Sequence, residues 1–246
     1  MQTLYDRPDL YDVIAPHDPT LEAFYLSRAR ERGGRVLDLA CGSGRLSIPL
    51  ARAGFKVTAA DLSGAMLQRA RQAAAGVEVE FAELDMRDFD LPGRTFETII
   101  VAMNSILHVQ SLEDFRGFFQ SVARHLAPCG RLAFDAFVPS VALLGSSPEQ
   151  RHPVGDGVHE ALGRVSVDET IRYDPLTQIN HVDWYWSTAA EKDFWRTPMQ
   201  MRQIFPQEMP LLIASGGMRL VERFGDFDLR PFAEGSYRQV CVCAAA

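Results

Sequence analysis

Residues 35–61 read RVLDLACGSGRLSIPLARAGFKVTAAD. Val36-Leu37-Asp38-Leu39-Ala40 is a short, mostly apolar run, the pattern of a buried strand. A Gly-Ser-Gly turn follows at Gly42 to Gly44. Leu46, Ile48 and Leu50 then recur at helical spacing, and the pattern ends near Gly54. Pro49 lies early in that helix, where a missing N–H costs little. Phe55 to Ala60 is a second apolar strand and stops at Asp61. Strand, glycine turn, helix, strand and acid, in that order, predict a βαβ unit that holds a nucleoside.

The chemistry of the stretch narrows the ligand. Glycines accept positive φ and let a ligand approach the backbone. Unpartnered N–H groups at the start of a helix face that ligand. Asp61, at a strand end, can accept hydrogen bonds from both hydroxyls of a ribose. A dinucleotide site calls for G-x-G-x-x-G, yet Gly44 is followed by Arg45, Leu46 and Ser47. The first strand also carries Asp38, which repels a pyrophosphate and attracts an ammonium. A nucleoside with an amino-acid tail fits better than a nicotinamide dinucleotide.

With VLDLACGSG and the later Asp61, the stretch resembles motif I of the class I S-adenosylmethionine-dependent methyltransferases, in particular their small-molecule, amino-sugar type N-methyltransferases. The resemblance runs from about Tyr11 to the last strand and is weaker from about Val138 to Arg202. It implies an α/β fold: a seven-stranded Rossmann-like sheet with helices on both faces. It implies S-adenosylmethionine as cofactor and S-adenosylhomocysteine as product. Tyr11, in LYDVIA, matches the family's lid tyrosine. Ala40, Cys41, Gly42 and Gly44 would face the cofactor from the turn, Asp38 its ammonium and Asp61 its ribose. Leu62 and Met66 would flank ribose and adenine. Asp85 would take the adenine amino group, with the Met86 backbone beside it. Met103 and Asn104 would complete the site from the end of the fourth strand.

The chain has 246 residues, enough for one large domain with a sizeable core. Hydrophobic residues make up 47% and the formal net charge is −7, with no Lys/Arg-rich run. These figures favour a small-molecule acceptor over nucleic acid or an anionic membrane, and they leave room for a homodimer. No apolar run reaches membrane-spanning length and no signal peptide precedes the first charges. Cys41, Cys129, Cys241 and Cys243 form no CxxC pair, which reads as free thiols in a reducing cytoplasm. His152, His159 and His181 lack a compact ligand spacing, so no metal site is expected.

In chain order, residues 1–33 read as a lid segment. No clear period marks 1–17, and Asp18-Pro19 then opens a helix that Gly33-Gly34 ends. Residues 34–138 form the cofactor-binding core. Within it, Ser63 caps a helix that Gly76 ends, and residues 77–81 read as a third strand. Phe96 to Met103 is the fourth strand, Ser111-x-x-Asp114 opens a helix, and Arg131 to Val138 is the fifth strand. From about 139 to 205 the composition changes. Pro139 to Glu160 reads as a mobile connection, after which three alternating runs predict an inserted antiparallel meander over the acceptor. Residues 206–246 supply a closing helix and two strands. All of this is one methyltransferase domain.

Methyl transfer from a sulfonium needs alignment and exclusion of water, and an ammonium acceptor must also lose a proton. His108, just past the fourth strand, is the candidate base, since its ordinary pKa lies near neutrality. Tyr11 can orient the acceptor or set its ring against the sulfonium. Tyr173, Trp184, Trp186 and Arg202 are candidates to line an acceptor pocket, although meander sheets bury aromatics in any case. Met-Asn-Ser-Ile at 103–106 departs from the Asn/Asp-Pro-Pro-Tyr motif of enzymes that methylate exocyclic amines of bases or glutamine. The expected activity is methyl transfer to a small molecule, most simply an amine. The rivals are an O-methyltransferase, a nicotinamide oxidoreductase and a cofactor-binding protein without catalysis.

Overall fold

In strand β1 (Arg35–Leu39) the four residues from Val36 to Leu39 are buried in succession, which requires a sheet covered on both faces. In the computed structural model, which describes residues 3–15 and 17–246, β1 lies parallel between β2 (Lys56–Asp61) and β4 (Phe96–Val101). β3 (Glu80–Glu83) continues beyond β2 and β5 (Leu126–Phe137) beyond β4, again parallel. β11 (Arg238–Ala245) pairs antiparallel with β5, and β10 (Met218–Phe224) with β11. The order β10-β11-β5-β4-β1-β2-β3 is the seven-stranded, helix-covered architecture that the resemblance implies. Winding reverses at β1: the chain runs out to β3 on one side and returns to β4 on the other. The ends of β1 and β4 part there, which is where open α/β sheets bind ligands.

Helices supply the two covering layers. In α5 (Leu112–His125), Ser111 caps the start by accepting from Asp114 N, 3.0 Å. Phe115, Phe118, Phe119 and Val122 fall on one stripe and are buried against the sheet and α7 (Met209–Ser215). Each such phenylalanine contributes roughly 1.5–3 kcal/mol of burial. On the other face α2 (Pro19–Arg32) is capped by Asp18, and its Phe24 and Tyr25 pack with Val36, Leu50 and Ile100. No described helix is long and apolar enough to cross a membrane.

Three expectations need correction. Residues 8–14, which show no legible period, form helix α1 (Pro8–Ile14); only Leu10 of it is buried, so it carries no apolar stripe. The third strand begins at Glu80, where pairing with Thr58 starts, and not at Val77. The stretch 139–160, read as a connection, holds α6 (Val141–Leu144) and a further strand, β6 (His152–His159). That strand joins β7 (Gly163–Asp174), β8 (Ile179–Thr188) and β9 (Trp195–Arg202) in a separate antiparallel sheet of four strands. Its glycines mislead because they serve packing. A Cβ on Gly157 would lie 2.6 Å from the Val13 carbonyl oxygen, so α1 crosses directly over β6. Leu4, Leu10, Val165, Val167 and Trp186 form the core between the N-terminal segment and this second sheet.

Candidate active site

The turn after β1 is built around one carboxylate. Asp61 Oδ2 accepts from Gly42 N and Oδ1 from Ser63 N, each at 2.8 Å. One side chain thereby ties the glycine turn to the start of α4 (Gly64–Ala73). Burial pushes the Asp61 carboxyl above its ordinary value, against the pull of these N–H groups. Gly42 has φ 55°, and a Cβ placed on it would meet nothing within 4 Å, so the turn opens onto free space. Gly44 serves a different purpose. A Cβ there would come within 3.2 Å of Ile48 and 3.3 Å of Ala70, so this glycine lets α3 (Ser47–Arg52) and α4 approach.

A cavity of about 540 Å³ lies over this turn. Ala40 and Gly42 line it from β1, Asp61, Leu62 and Met66 from β2 and α4, and Asp85 and Met86 from the segment after β3. Met103, Ser105 and His108 reach it from β4, and Tyr5 and Tyr11 from the N-terminal segment. A small recess beside it is lined by Asp38, Cys41 and Arg45. Asn104 does not line the cavity. It is left-handed at φ 61°, as are its neighbour Met103 at 57° and Ala40 at 54°. Strained backbone of this kind collects at functional sites.

Two of these acids are in contrasting states. Asp38 is 2% exposed and accepts the Ser47 hydroxyl at 2.5 Å. Burial, with some repulsion from Asp61, pushes it up to about 7. Asp85 is gripped by Arg87, whose Nε lies 2.9 Å from both carboxylate oxygens, and is held below its ordinary value.

His108 ends a short 3-10 turn, Ser105–His108. Its Nε2 lies 2.6 Å from the Tyr5 hydroxyl. Burial lowers the imidazole below its ordinary value, so the ring is neutral at pH 7. Burial raises the Tyr5 phenol, so that group keeps its proton, and its hydroxyl shares one hydrogen bond with His108 Nε2. The Tyr5 carbonyl accepts from Ser63 Oγ at 2.9 Å, and its hydroxyl lies 4.0 Å from Met199 Sδ on β9. Tyr11 sits 6.0 Å from Tyr5 between ring centroids, with the Arg45 guanidinium 5.6 Å over its own ring. Asp12 fastens this segment to the turn, accepting from Ser43 Oγ at 2.7 Å and pairing with Arg45 and Arg69.

Tyr5 escapes sequence reasoning because it sits in no periodic element or motif, and Ser63 is legible only as the cap of α4; the folded segment brings both to the cavity. The four meander residues expected at an acceptor pocket are elsewhere. Trp186 is fully buried beneath the lid segment and donates to Thr197 Oγ1 at 3.1 Å. Arg202 is buried on Glu208 and Gln178, and neither Tyr173 nor Trp184 lines the cavity.

Residues 36–130 match the family model described as a methyltransferase domain. Over this stretch, which is less than half of the chain, the sequence is similar to methyltransferase domains. Among relatives, the Bacillus subtilis (strain 168) protein YqeM is 35% identical over 128 residues, which is 51% of this chain and 52% of that one. The chain spans about half the length of the first curated relatives it matches. Among solved structures, the CcbJ methyltransferase from Streptomyces caelestis superposes with a TM-score of 0.84 at 24% identity, covering 99% of this chain and 98% of that one. An amino pentose methyltransferase from Micromonospora echinaspora, solved with S-adenosylmethionine bound, gives 0.68 at 21% identity, covering 90% and 89%. At these identities the two structures speak to the fold alone. The residues of this site fit S-adenosylmethionine in chemistry. Open space lies over Gly42, Asp61 stands at the β2 end, and Asp38 is a buried carboxyl with no ion pair among the described residues, suited to an ammonium.

Proposed function

We propose that this protein transfers a methyl group from S-adenosylmethionine to a small-molecule amine. The observation that carries the proposal is one cavity lined both by Asp61 and by the Tyr5–His108 pair. When bound, S-adenosylmethionine supplies a methyl group already activated by its sulfonium charge. Asp61 would hold the ribose, with Leu62 and Met66 beside it. Asp85 and the Met86 backbone would serve the adenine edge. Asp38 and the turn residues Ala40, Cys41 and Gly42 would hold the amino-acid tail.

His108 is then the acceptor's group. A neutral, buried imidazole can take the proton that an ammonium must lose through the Tyr5 hydroxyl, which would pass its own proton to His108 Nε2 as it receives the acceptor's. The charges lining the cavity favour a cation: Asp6, Asp61 and Asp85 face Arg87, which is already paired to Asp85. A hydroxyl acceptor is the rival reading, and the assay separates the two.

The assay is transfer of tritiated methyl from S-adenosylmethionine to a panel of amines and alcohols. Calorimetry with S-adenosylhomocysteine and with NAD runs beside it. Tight NAD binding with none of the homocysteine compound would overturn the proposal. His108→Ala should lower turnover by about 100-fold or more with cofactor affinity nearly constant. Because burial lowers the His108 pKa, wild-type turnover should fall as pH drops through a midpoint below 6.5. A mutant of equal turnover and a flat profile would remove His108 from the mechanism.

A further inference from the structure

The two left-handed residues at the end of β4, Met103 and Asn104, are not glycines, and something must hold them. Asp135, near the end of β5, stands beside them. Its Oδ1 accepts from Met103 N at 2.8 Å and its Oδ2 from Asn104 N at 3.1 Å. Tyr25 on α2 donates its hydroxyl to the same Oδ1 at 2.6 Å. Asp135 is 2% exposed and Tyr25 fully buried, and neither lines the cavity. Ser105 and His108, immediately beyond the turn, do line it, and His108 bonds there to Tyr5. The Asn104 carbonyl accepts from Leu107 N at 2.9 Å, so the 3-10 turn carrying His108 starts from this clamped pair.

We infer that Asp135, supported by Tyr25, is a positioning residue: its buried carboxylate holds the Met103–Asn104 turn and so sets where His108 meets Tyr5. Two peptide N–H groups aimed at one carboxylate form a fixed anion nest. The tyrosine hydroxyl adds a third donor, so the carboxylate is satisfied without a ligand. The clamp spans three elements that meet only in the fold: α2 of the lid segment, β5, and the exit of β4. Its consequence for catalysis rests on the proposed role of His108, since a misplacement of about 1 Å at a reacting group can cost about 100-fold in rate. The clamp itself does not depend on the acceptor's identity.

The test reads the turn directly in the full chain. Amide hydrogen exchange and the His108 imidazole ¹⁵N spectrum are recorded for wild type and Asp135→Asn. Asn places an NH₂ where one of the two peptide N–H groups needs an acceptor. The expected result is fast exchange at Met103 and Asn104 and a shifted His108 Nε2 signal, with Ile99 and Leu132 still protected. Tyr25→Phe removes only the third donor; it should move the same signals less, and it serves if Asp135→Asn does not fold. Unchanged exchange at Met103 and Asn104 with an unchanged His108 signal would overturn the proposal. So would an equal loss of protection across the sheet, which is what a purely structural carboxylate would give. If His108 proved dispensable for methyl transfer while these signals moved, the clamp would stand and the base assignment alone would fall.

Discussion

Asp61 already holds the N–H groups of Gly42 and Ser63, so its removal does two things at once. Asp61 stands at a strand end beside the cavity, so the fold should survive its loss, although with lower stability. Asp61→Ala should weaken S-adenosylhomocysteine binding by about 1.5–3 kcal/mol, the range for hydrogen bonds to a charged group. It should also lower stability by about 1–3 kcal/mol through the two N–H groups left unsatisfied. Calorimetry and thermal unfolding read the two effects separately; an unchanged dissociation constant in the folded mutant would take Asp61 off the ribose. Asp38 gives a prediction in pH. Its carboxyl, buried and held at about 7, is largely protonated at pH 6 in the free protein. An ammonium beside it favours the charged form and lowers that value. Binding of S-adenosylhomocysteine at pH 6 should therefore release up to about one proton, and release should fade above pH 8. Calorimetry in buffers of different ionisation enthalpy measures it, and Asp38→Asn should abolish it. The same shift makes the free protein less stable as pH rises from about 4 to 7, because the native state binds a proton that the unfolded chain has lost.

At the scale of elements, α1 brings Tyr11 to the cavity and rests on β6. Gly157 sits on β6 where α1 crosses, and a Cβ would lie 2.6 Å from Val13 O and 2.7 Å from Val13 Cγ1. Gly157→Ala should force the helix off the strand, at the 1–3 kcal/mol typical of overpacking, about 2 kcal/mol here. Faster hydrogen exchange in Pro8–Ile14, with β1 and β4 unchanged, is the expected readout; unchanged exchange in α1 would show that the lid does not rest on β6. These two elements are also the ones sequence reading misses. The central strands are legible because both faces are buried, so Val36 to Leu39 and Phe96 to Val101 write the sheet in mostly apolar runs. The glycine turn and Asp61 are legible because the backbone there needs special residues in fixed order. By contrast α1 buries one side chain, and β6 uses glycine for close approach, which in a sequence looks like a loop. The same logic hides Tyr5: its partners lie 103 and 58 residues away, at His108 and Ser63, and no local pattern records them.

Across the whole molecule, the lid segment is the joint between two sheets. Tyr5 and Tyr11 line the cavity over the seven-stranded sheet, and the same segment packs Leu4 and Leu10 against Val165, Val167 and Trp186 of the second sheet. A ligand that holds the lid down on the first sheet should therefore also stabilise the second, so that 1–246 unfolds as one unit. The chain supplies its own reporters. Its three tryptophans, Trp184, Trp186 and Trp195, all lie in β8 and β9. Its long helices, α2, α4 and α5, all cover the seven-stranded sheet. Tryptophan fluorescence thus follows one sheet and far-ultraviolet circular dichroism chiefly the other. Without ligand the two thermal transitions should coincide. With S-adenosylhomocysteine at about 100 times its dissociation constant, stability should rise by about 2.7 kcal/mol. Both midpoints should then move up together, by about 2–4 °C for each kcal/mol in a chain of this size. If circular dichroism shifts while tryptophan fluorescence stays in place, the four-stranded sheet is an independent unit. Ligand binding then ends at the lid, and the acceptor cap would have to be sought within the first sheet's own loops.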